Sequence, residues 1–301
     1  MKILLSGGTG FVGKALAKLL IDRGHEVMVV TRGSSKQENG ITYIHWLEDS
    51  KSEINYFRGK SIEVLINLAG HPINDGRWTV DKKDKILTSR LQATERMLEI
   101  AAQLATPPKA FIQGSAIGAY GYQGQISLTE NSPVLNNSFP AAVCEQWEAL
   151  FEHANLPDTR KVIARIGIVL GRNEGALPSL IKPFQIGVGG RIASGQQWLS
   201  WIHEQDAAEL LAWCATSDIE GIVNITAPNP VQFDTFSKVA SSTLHRPNWN
   251  RVPASLLRVL FGEMAEFLIE GQRVAPQVAI DHDVPFAFPH LEEALHKLLR
   301  T

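Results

Sequence analysis

Cysteine is nearly absent: Cys144 and Cys214 are the two among 301 residues. Two thiols cannot build a disulfide framework, and so low a count suits a reducing compartment. Charge of one sign is missing as well, with 29 basic against 31 acidic side chains and a formal net charge of −2. That balance creates no field to attract nucleic acid or an anionic membrane. The densest charge run, Asp81-Lys82-Lys83-Asp84-Lys85, nearly cancels itself. No apolar stretch approaches the ~18 residues of a membrane-spanning helix, and Met1–Ser6 is too short an apolar core for a secretory signal. A cytoplasmic address is expected. The nine histidines show no paired spacing, and no Cys–Cys or His-x-x-x-His cluster occurs, so no metal site is expected.

What is present is a rhythm. Short apolar runs alternate with longer amphipathic segments over the first 170 residues or so, as in a parallel sheet wrapped by helices. Strands are predicted at Lys2–Ser6, Glu26–Thr31, Thr42–Leu47, Glu63–Asn67, Ala110–Ser115 and Val162–Ile166. Helices are predicted at Phe11–Arg23, Lys82–Leu104 and Ala141–His153, with Gly24 as a C-cap glycine and Pro107-Pro108 beyond the second. Past Gly171 the rhythm changes. Glycine is dense from Gly187 to Gly195, which reads as loop, and a helix over Glu204–Ala215 with a strand over Ile222–Thr226 returns to the sheet. From about Pro228 the chain reads as a smaller α-rich lobe, with helices at Phe233–Leu244, Leu256–Ile269 and Leu291–Leu299. The expected architecture is α/β: a Rossmann doubly wound parallel sheet over residues 1–227, with loops from 172–204 reaching a cleft, and a smaller C-terminal lobe over 228–301. A small-molecule cleft is expected between the two.

The sharpest local signal is Gly7-Gly8-Thr9-Gly10-Phe11-Val12-Gly13, which follows the first strand and opens the first helix. That context is what a dinucleotide fingerprint requires. Gly7 permits the tight turn, Gly10 lets the backbone approach a pyrophosphate, and Gly13 allows close helix–strand packing. The free N–H groups at the helix start face the phosphates. About 20 residues further on, an NAD site carries Asp or Glu for the ribose 2′-hydroxyl. Here the second strand ends Val30-Thr31-Arg32. No acid is there to repel a 2′-phosphate, and an arginine fork suits one, with Lys36 adding charge; the other reading of Arg32 is a solvated loop side chain. NADP is therefore the expected cofactor. Asn67-Leu68-Ala69-Gly70 ends the fourth strand with small residues against which adenosine and ribose could lie.

These residues resemble the extended short-chain dehydrogenase/reductase superfamily, through the glycine loop, Asn67–Gly70 and Ser115…Tyr120-Gly121. More narrowly, the chain resembles a subgroup of epimerase-family proteins related to sugar-nucleotide epimerases. Ser89-Arg90, Cys144…Trp147-Glu148, Arg165–Gly171, Trp201-Ile202-His203 and Gly271–Pro276 carry that likeness, the last within the subgroup's C-terminal domain. The resemblance implies that Arg90 and Lys85 reach the cofactor or its ribose, that Ile168 packs near the nicotinamide, and that the chain forms a homodimer. His203 is mainly structural in extended relatives.

The superfamily's hydride chemistry uses Ser, Tyr and Lys, the Tyr acting as acid or base. Ser115 ends the fifth strand where the serine belongs. The Tyr-x-x-x-Lys frame, however, reads Pro140…Cys144 when Glu148 is aligned with the glutamate usual there. Proline has no titratable proton, and a cysteine cannot anchor a ribose as an ammonium does. Tyr120 is the candidate replacement as a phenolic acid, with packing beneath the loop as its other reading. Cys144 is either a nucleophile or a buried structural thiol, and Cys214 belongs to the core. Trp198 and Trp201 either line a substrate pocket or fill core. Two functions are then expected in competition. One is an NADP(H)-dependent oxidoreductase or epimerase-like enzyme acting on a small organic, sugar-nucleotide-like substrate, with Ser115 and Tyr120 catalytic. The other is an NADP(H)-binding redox sensor or interaction protein with little or no turnover.

Overall fold

A computed structural model describes residues 1–46, 55–74 and 76–300. Leu47, the expected last residue of the third strand, lies outside them. The central sheet is built from β1 (Lys2–Ser6), β2 (Glu26–Thr31), β3 (Lys36–Glu38), β4 (Ile41–His45), β5 (Val64–Asn67), β6 (Ala110–Ala116), β7 (Arg160–Ile166) and β8 (Gly221–Ile225). Their spatial order is β8-β7-β6-β5-β1-β2-β4-β3. All neighbours run parallel except β3 and β4. The chain leaves β1 first to one side and then to the other, so the order reverses between β1 and β5. In such sheets that crevice, beyond the carboxyl ends of the strands, is where ligands bind.

Period-two alternation divides the strand side chains between two cores. Ile3, Leu5, Val27, Val29, Val64 and Ile66 bury against one helical layer. It contains α1 (Phe11–Asp22) and, after an interval, the helix Glu204–Thr216. Leu4, Met28, Val30, Leu65, Phe111 and Ile163 face the other way, against α2 (Val80–Gln103) and α3 (Phe139–Glu152). Burial of each such side chain is worth roughly 1.5–3 kcal/mol. Thr79 caps α2 by accepting the Lys82 N–H at 3.3 Å. Ser138 caps α3 in the same way through Ala141, and Pro140 fits the first turn because no N–H is needed there. The predicted start at Ala141 was therefore late.

Further helices are α4 (Leu177–Gln185), α5 (Glu204–Thr216), α6 (Phe233–Leu244), α7 (Ala254–Phe261), α8 (Met264–Ile269), α9 (Gln277–Asp281) and α10 (Leu291–Leu299). A third core joins Leu177, Ile181, Phe184 and Trp201 to Phe233, Phe236, Leu291 and Leu295. The smaller lobe thus draws on residues from both sides of Pro228. Strand pairing repeats this: Gly190–Ile192 adds to Asn250–Val252, and Trp198-Leu199 to Val231-Gln232. The single helix expected over Leu256–Ile269 is two, because Gly262 takes φ 60° between them.

Candidate functional site

The glycine loop has the geometry its spacing implies. Gly7 sits at φ 73°, and a Cβ there would lie 2.6 Å from the Leu68 carbonyl carbon. A Cβ on Gly13 would strike the Gly7 oxygen and come within 2.7 Å of the Gly8 Cα. Thr9 and Gly10 are exposed, and Phe11 and Val12 half-buried. The Gly10 N–H closes the turn onto the Gly7 oxygen at 2.9 Å, and the Lys14 N–H returns to the Gly10 oxygen at 2.9 Å. The amides between them, of Phe11, Val12 and Gly13, belong to the first turn and have no intrahelical acceptor. No side chain caps α1 and no acid stands in its first turn. An anion would find those amides free. Phe11 anchors the helix start: Gly171 and Gly175 are both too close to its ring to carry a Cβ.

Across the crevice, Ser6 pairs in register with Val30 on β2, so Arg32 stands two residues past that level, just beyond the end of the neighbouring strand. Arg32 is exposed and forms no ion pair among the described residues. Thr31 uses its hydroxyl to accept the Gly33 N–H at 3.1 Å, which turns the chain there. Lys36 lies on β3 and is engaged with Glu38 at 2.5 Å. The wall opposite is Leu68-Ala69-Gly70. Asn67 shapes it: its Oδ1 accepts from the Ser6 hydroxyl and, at 3.3 Å, from the Ala69 N–H. Its Nδ2 donates to Thr94 and Gln113 at 3.1 and 3.0 Å, and all of these side chains are buried. The network ties the ends of β1, β5 and β6 to α2. Arg90 covers Gly70, where a Cβ would meet its Cγ at 3.2 Å. Its Nη1 donates to the His71 and Ile86 carbonyls at 3.0 and 2.8 Å, and burial lowers its pKa. Lys85, one turn earlier, is exposed.

At the ends of β6 and β7 lies an arrangement that local sequence reasoning did not assemble. Ser115 pairs in register with Arg165. The Ser115 hydroxyl donates to Glu148 Oε1 at 2.5 Å, and Arg165 grips the same carboxylate through Nε at 2.9 Å and Nη2 at 2.7 Å. All three are buried, Arg165 to 3% exposure. Burial opposes the Arg165 charge, but the Glu148 carboxylate outweighs it and holds the guanidinium above its usual range. Arg165 also lies over the Tyr120 ring, 4.7 Å from its centroid. Its Nη1 has no hydrogen-bond partner, and the ring face is its compensation. Because Ser115 gives its proton to Glu148, it presents lone pairs rather than a donor toward any further partner. The signal in the sequence was a charge inside the apolar strand Val162–Ile166 and another on the apolar face of α3.

Tyr120 closes this cluster from below. It is fully buried, and its hydroxyl donates to Asn224 Oδ1 at 2.8 Å. Burial raises its pKa, against the pull of Arg165. Cys144 contacts the Ala116 carbonyl oxygen at 3.7 Å, and burial pushes its thiol up to about 11, away from nucleophile chemistry. Ile168 lies half-buried beside the smaller lobe's core and donates its N–H to the Ser200 oxygen at 2.9 Å. His203 caps α5: Nδ1 accepts the Gln205 N–H at 3.0 Å while the ring stacks on Phe288 at 4.0 Å. Burial brings its pKa down to about 4. Trp201 is core, whereas Trp198 reaches Gln125 at 2.7 Å and lies under Arg273.

Among the described residues no helix is long and apolar enough to cross a membrane. Residues 252–298 match a domain of unknown function, DUF1731. The chain is 38% identical over 301 residues to the epimerase family protein YfhF of Bacillus subtilis, covering 99% of this chain and 98% of that one. It is 37% identical to the mouse epimerase family protein SDR39U1, covering 98% of each. The crystal structure of human SDR39U1 (isoform 2) with NADPH superposes with a TM-score of 0.88, at 33% identity and 99% coverage of both chains. Residues 3–226 match the NAD dependent epimerase/dehydratase family, and with the switch-point crevice and glycine loop in place the chain belongs to that family.

Proposed function

We propose that the protein binds NADP(H) and carries out hydride chemistry on a small organic molecule, as an oxidoreductase or epimerase-like enzyme. The observation that carries this reading is the pairing of an uncapped helix start with an unengaged guanidinium just past the end of the next strand. The amides of Phe11, Val12 and Gly13 suit a pyrophosphate, and Arg32 suits a 2′-phosphate. Leu68, Ala69 and Gly70 would hold the adenosine half, with Arg90, Lys85 and Ile168 toward the nicotinamide. Bound there, the nucleotide supplies the two-electron chemistry. The similarity to a relative crystallised with NADPH supports the same cofactor.

Ser115 is the residue of this chain that we assign to the substrate. With its own proton directed to Glu148, which Arg165 holds in place, its oxygen accepts a hydrogen bond from a substrate hydroxyl. Tyr120 then serves this cluster as a support rather than as the acid, since its hydroxyl is committed to Asn224. Two buried thiols suit a reducing, cytoplasmic setting, and the chain's partners on this reading are small molecules.

Titration of the purified protein with NADPH and NADH, followed by nucleotide fluorescence, tests the cofactor assignment. NADPH should bind more tightly, and Arg32→Glu should flatten or reverse the preference. Equal affinities in the wild type would remove the role given to Arg32. A second reading, an NADP(H)-binding sensor without turnover, is favoured by two observations: the commitment of Tyr120 to Asn224, and the presence of Pro140 and Cys144 where the superfamily resemblance leads one to expect Tyr and Lys. Absorbance of bound nicotinamide during presentation of alcohols, aldehydes and quinones separates the two, because only the first predicts turnover that Ser115→Ala abolishes.

A further inference from the structure

Acidic residues are unevenly spread along the chain. From Gly175 to His203 and from Thr235 to Gly262 there is no Asp or Glu, although acids make up about one residue in ten of the whole. The chain-wide balance of charge hides this asymmetry. The two stretches meet in the smaller lobe. Gly190–Ile192 pairs with Asn250–Val252, Trp249 Nε1 donates to the Gly187 carbonyl at 3.1 Å, and Asn250 Nδ2 donates to that of Val188 at 3.2 Å.

Their meeting leaves hydrocarbon on the outside. Ile186 and Trp249 are 68% and 67% exposed, and Val188 is exposed beside them. Of the seven tryptophans Trp249 alone is exposed. From Trp249 to the start of α7 is at most about 17 Å of extended chain. In α7 Leu257 packs inward, while Leu256, Val259 and Leu260, spaced i, i+3 and i+4, share the outward face. Arg77 fixes that helix, donating Nε to the Leu260 carbonyl at 2.8 Å and Nη2 to that of Val259. Side chains two-thirds exposed stand out from the surface rather than line a groove, so they suit a broad, soft partner.

The charge on this face points the same way. Lys182, Arg246 and Arg251 are exposed and form no ion pair among the described residues. The acids that bound the second stretch are engaged: Asp234 with Arg191 and Lys238, and Glu263 with Lys83. Glu266, beyond it, pairs with Arg258. A second copy across a two-fold axis would set the free cations against themselves, whereas an anionic partner would neutralise them. Exposed tryptophan and aliphatic side chains among unpaired cations are what a face lying in a lipid headgroup layer carries.

We infer that the Ile186–Val188 loop, Trp249 and the outward face of α7 form one surface that docks the smaller lobe onto an anionic lipid bilayer. The apolar side chains enter the boundary between headgroups and acyl chains, and Lys182, Arg246 and Arg251 meet the lipid phosphates.

The test is cosedimentation of the full chain with vesicles of phosphatidylcholine alone and of phosphatidylcholine with phosphatidylglycerol in a two-to-one ratio. Binding to the mixed vesicles should be saturable, should weaken as salt is raised toward about 1 M, and should exceed binding to phosphatidylcholine by about tenfold or more. Tryptophan emission should shift to the blue on the mixed vesicles, and Trp249→Phe should remove that shift. Arg246→Glu with Arg251→Glu, Trp249→Ser, and Val259→Ser with Leu260→Ser should each weaken binding about fivefold or more. Thermal unfolding and NADPH affinity should stay as in the wild type, because all these positions are exposed. No binding to the mixed vesicles, or wild-type binding by any of the three variants, overturns the inference. So does a dimer in sedimentation velocity that the same substitutions dissociate, which would assign the face to a second copy.

Discussion

Removing Arg165 should be among the most damaging single changes in this protein. Arg165 and Glu148 are 3% and 7% exposed, and their two contacts of 2.9 and 2.7 Å form a bidentate pair. Arg165→Met deletes the partner but leaves the carboxylate buried, with the Ser115 hydroxyl as its remaining side-chain donor. Breaking one side of such a pair costs about 3–5 kcal/mol, whereas replacing both by apolar groups is often nearly neutral. Unfolding entropy near 2 cal/mol/K per residue turns that loss into a fall in Tm of roughly 5–8 °C for a chain of this length. Glu148→Leu should cost a similar amount through the orphaned guanidinium. The double variant should lie within about 2 kcal/mol of wild type, the residue being the unpaired Ser115 hydroxyl. Urea unfolding at pH 7 without nucleotide, followed by circular dichroism, reads all four corners of the cycle; nucleotide is omitted because it stabilises whatever binds it. Singles within about 1 kcal/mol of wild type, or a double variant equal to their sum, would refute the reasoning.

Three further outcomes follow from particular contacts. Gly13→Ala places a methyl against the Gly7 oxygen and Gly8 Cα, so it should cost about 1–3 kcal/mol by overpacking and abolish NADPH binding; retained binding in a fluorescence titration would contradict the loop's role. Tyr120→Phe leaves Asn224 Oδ1 without its donor and should cost about 1–3 kcal/mol, yet leave nucleotide affinity intact. His203 titrates in the unfolded chain near 6.5 but in the fold only near 4. The unfolded state therefore takes up the proton first, and the contribution of this group to stability falls as pH drops from 6.5 to 4, by something of order 2 kcal/mol. His203→Asn keeps a capping side chain and should flatten that part of the stability–pH curve; unchanged curvature would show that the imidazole is not held neutral.

Elements were legible where the physics is local. A strand, a turn that only glycine can make and an uncapped helix start occupy twelve consecutive residues, Lys2–Gly13, so their fingerprint survives in the sequence. Burial on both faces similarly makes β1, β2, β5, β6 and β7 apolar runs. The failures have equally specific causes. Lys36–Glu38 is a strand of three exposed polar residues, paired only along the sheet's edge, and carries no hydrophobic period. Helix α4 begins where Ala176 supplies no capping side chain and contains Pro183, so it read as loop. Leu256–Ile269 read as one helix, but the positive φ of Gly262 divides α7 from α8.

By itself the amino-acid order determined the parallel sheet, the nucleotide-style loop beside it, and the loss of the usual tyrosine and lysine. Tertiary structure decided the buried cluster that Ser115 joins. Ser115, Glu148 and Arg165 come from a strand, a helix and another strand, and no periodicity links them; only parallel register and the seating of α3 bring their atoms to hydrogen-bond distance. The direction of the Ser115 hydroxyl and the commitment of Tyr120 to Asn224 are both long-range contacts, and those are set by how the layers stack rather than by any neighbouring residue.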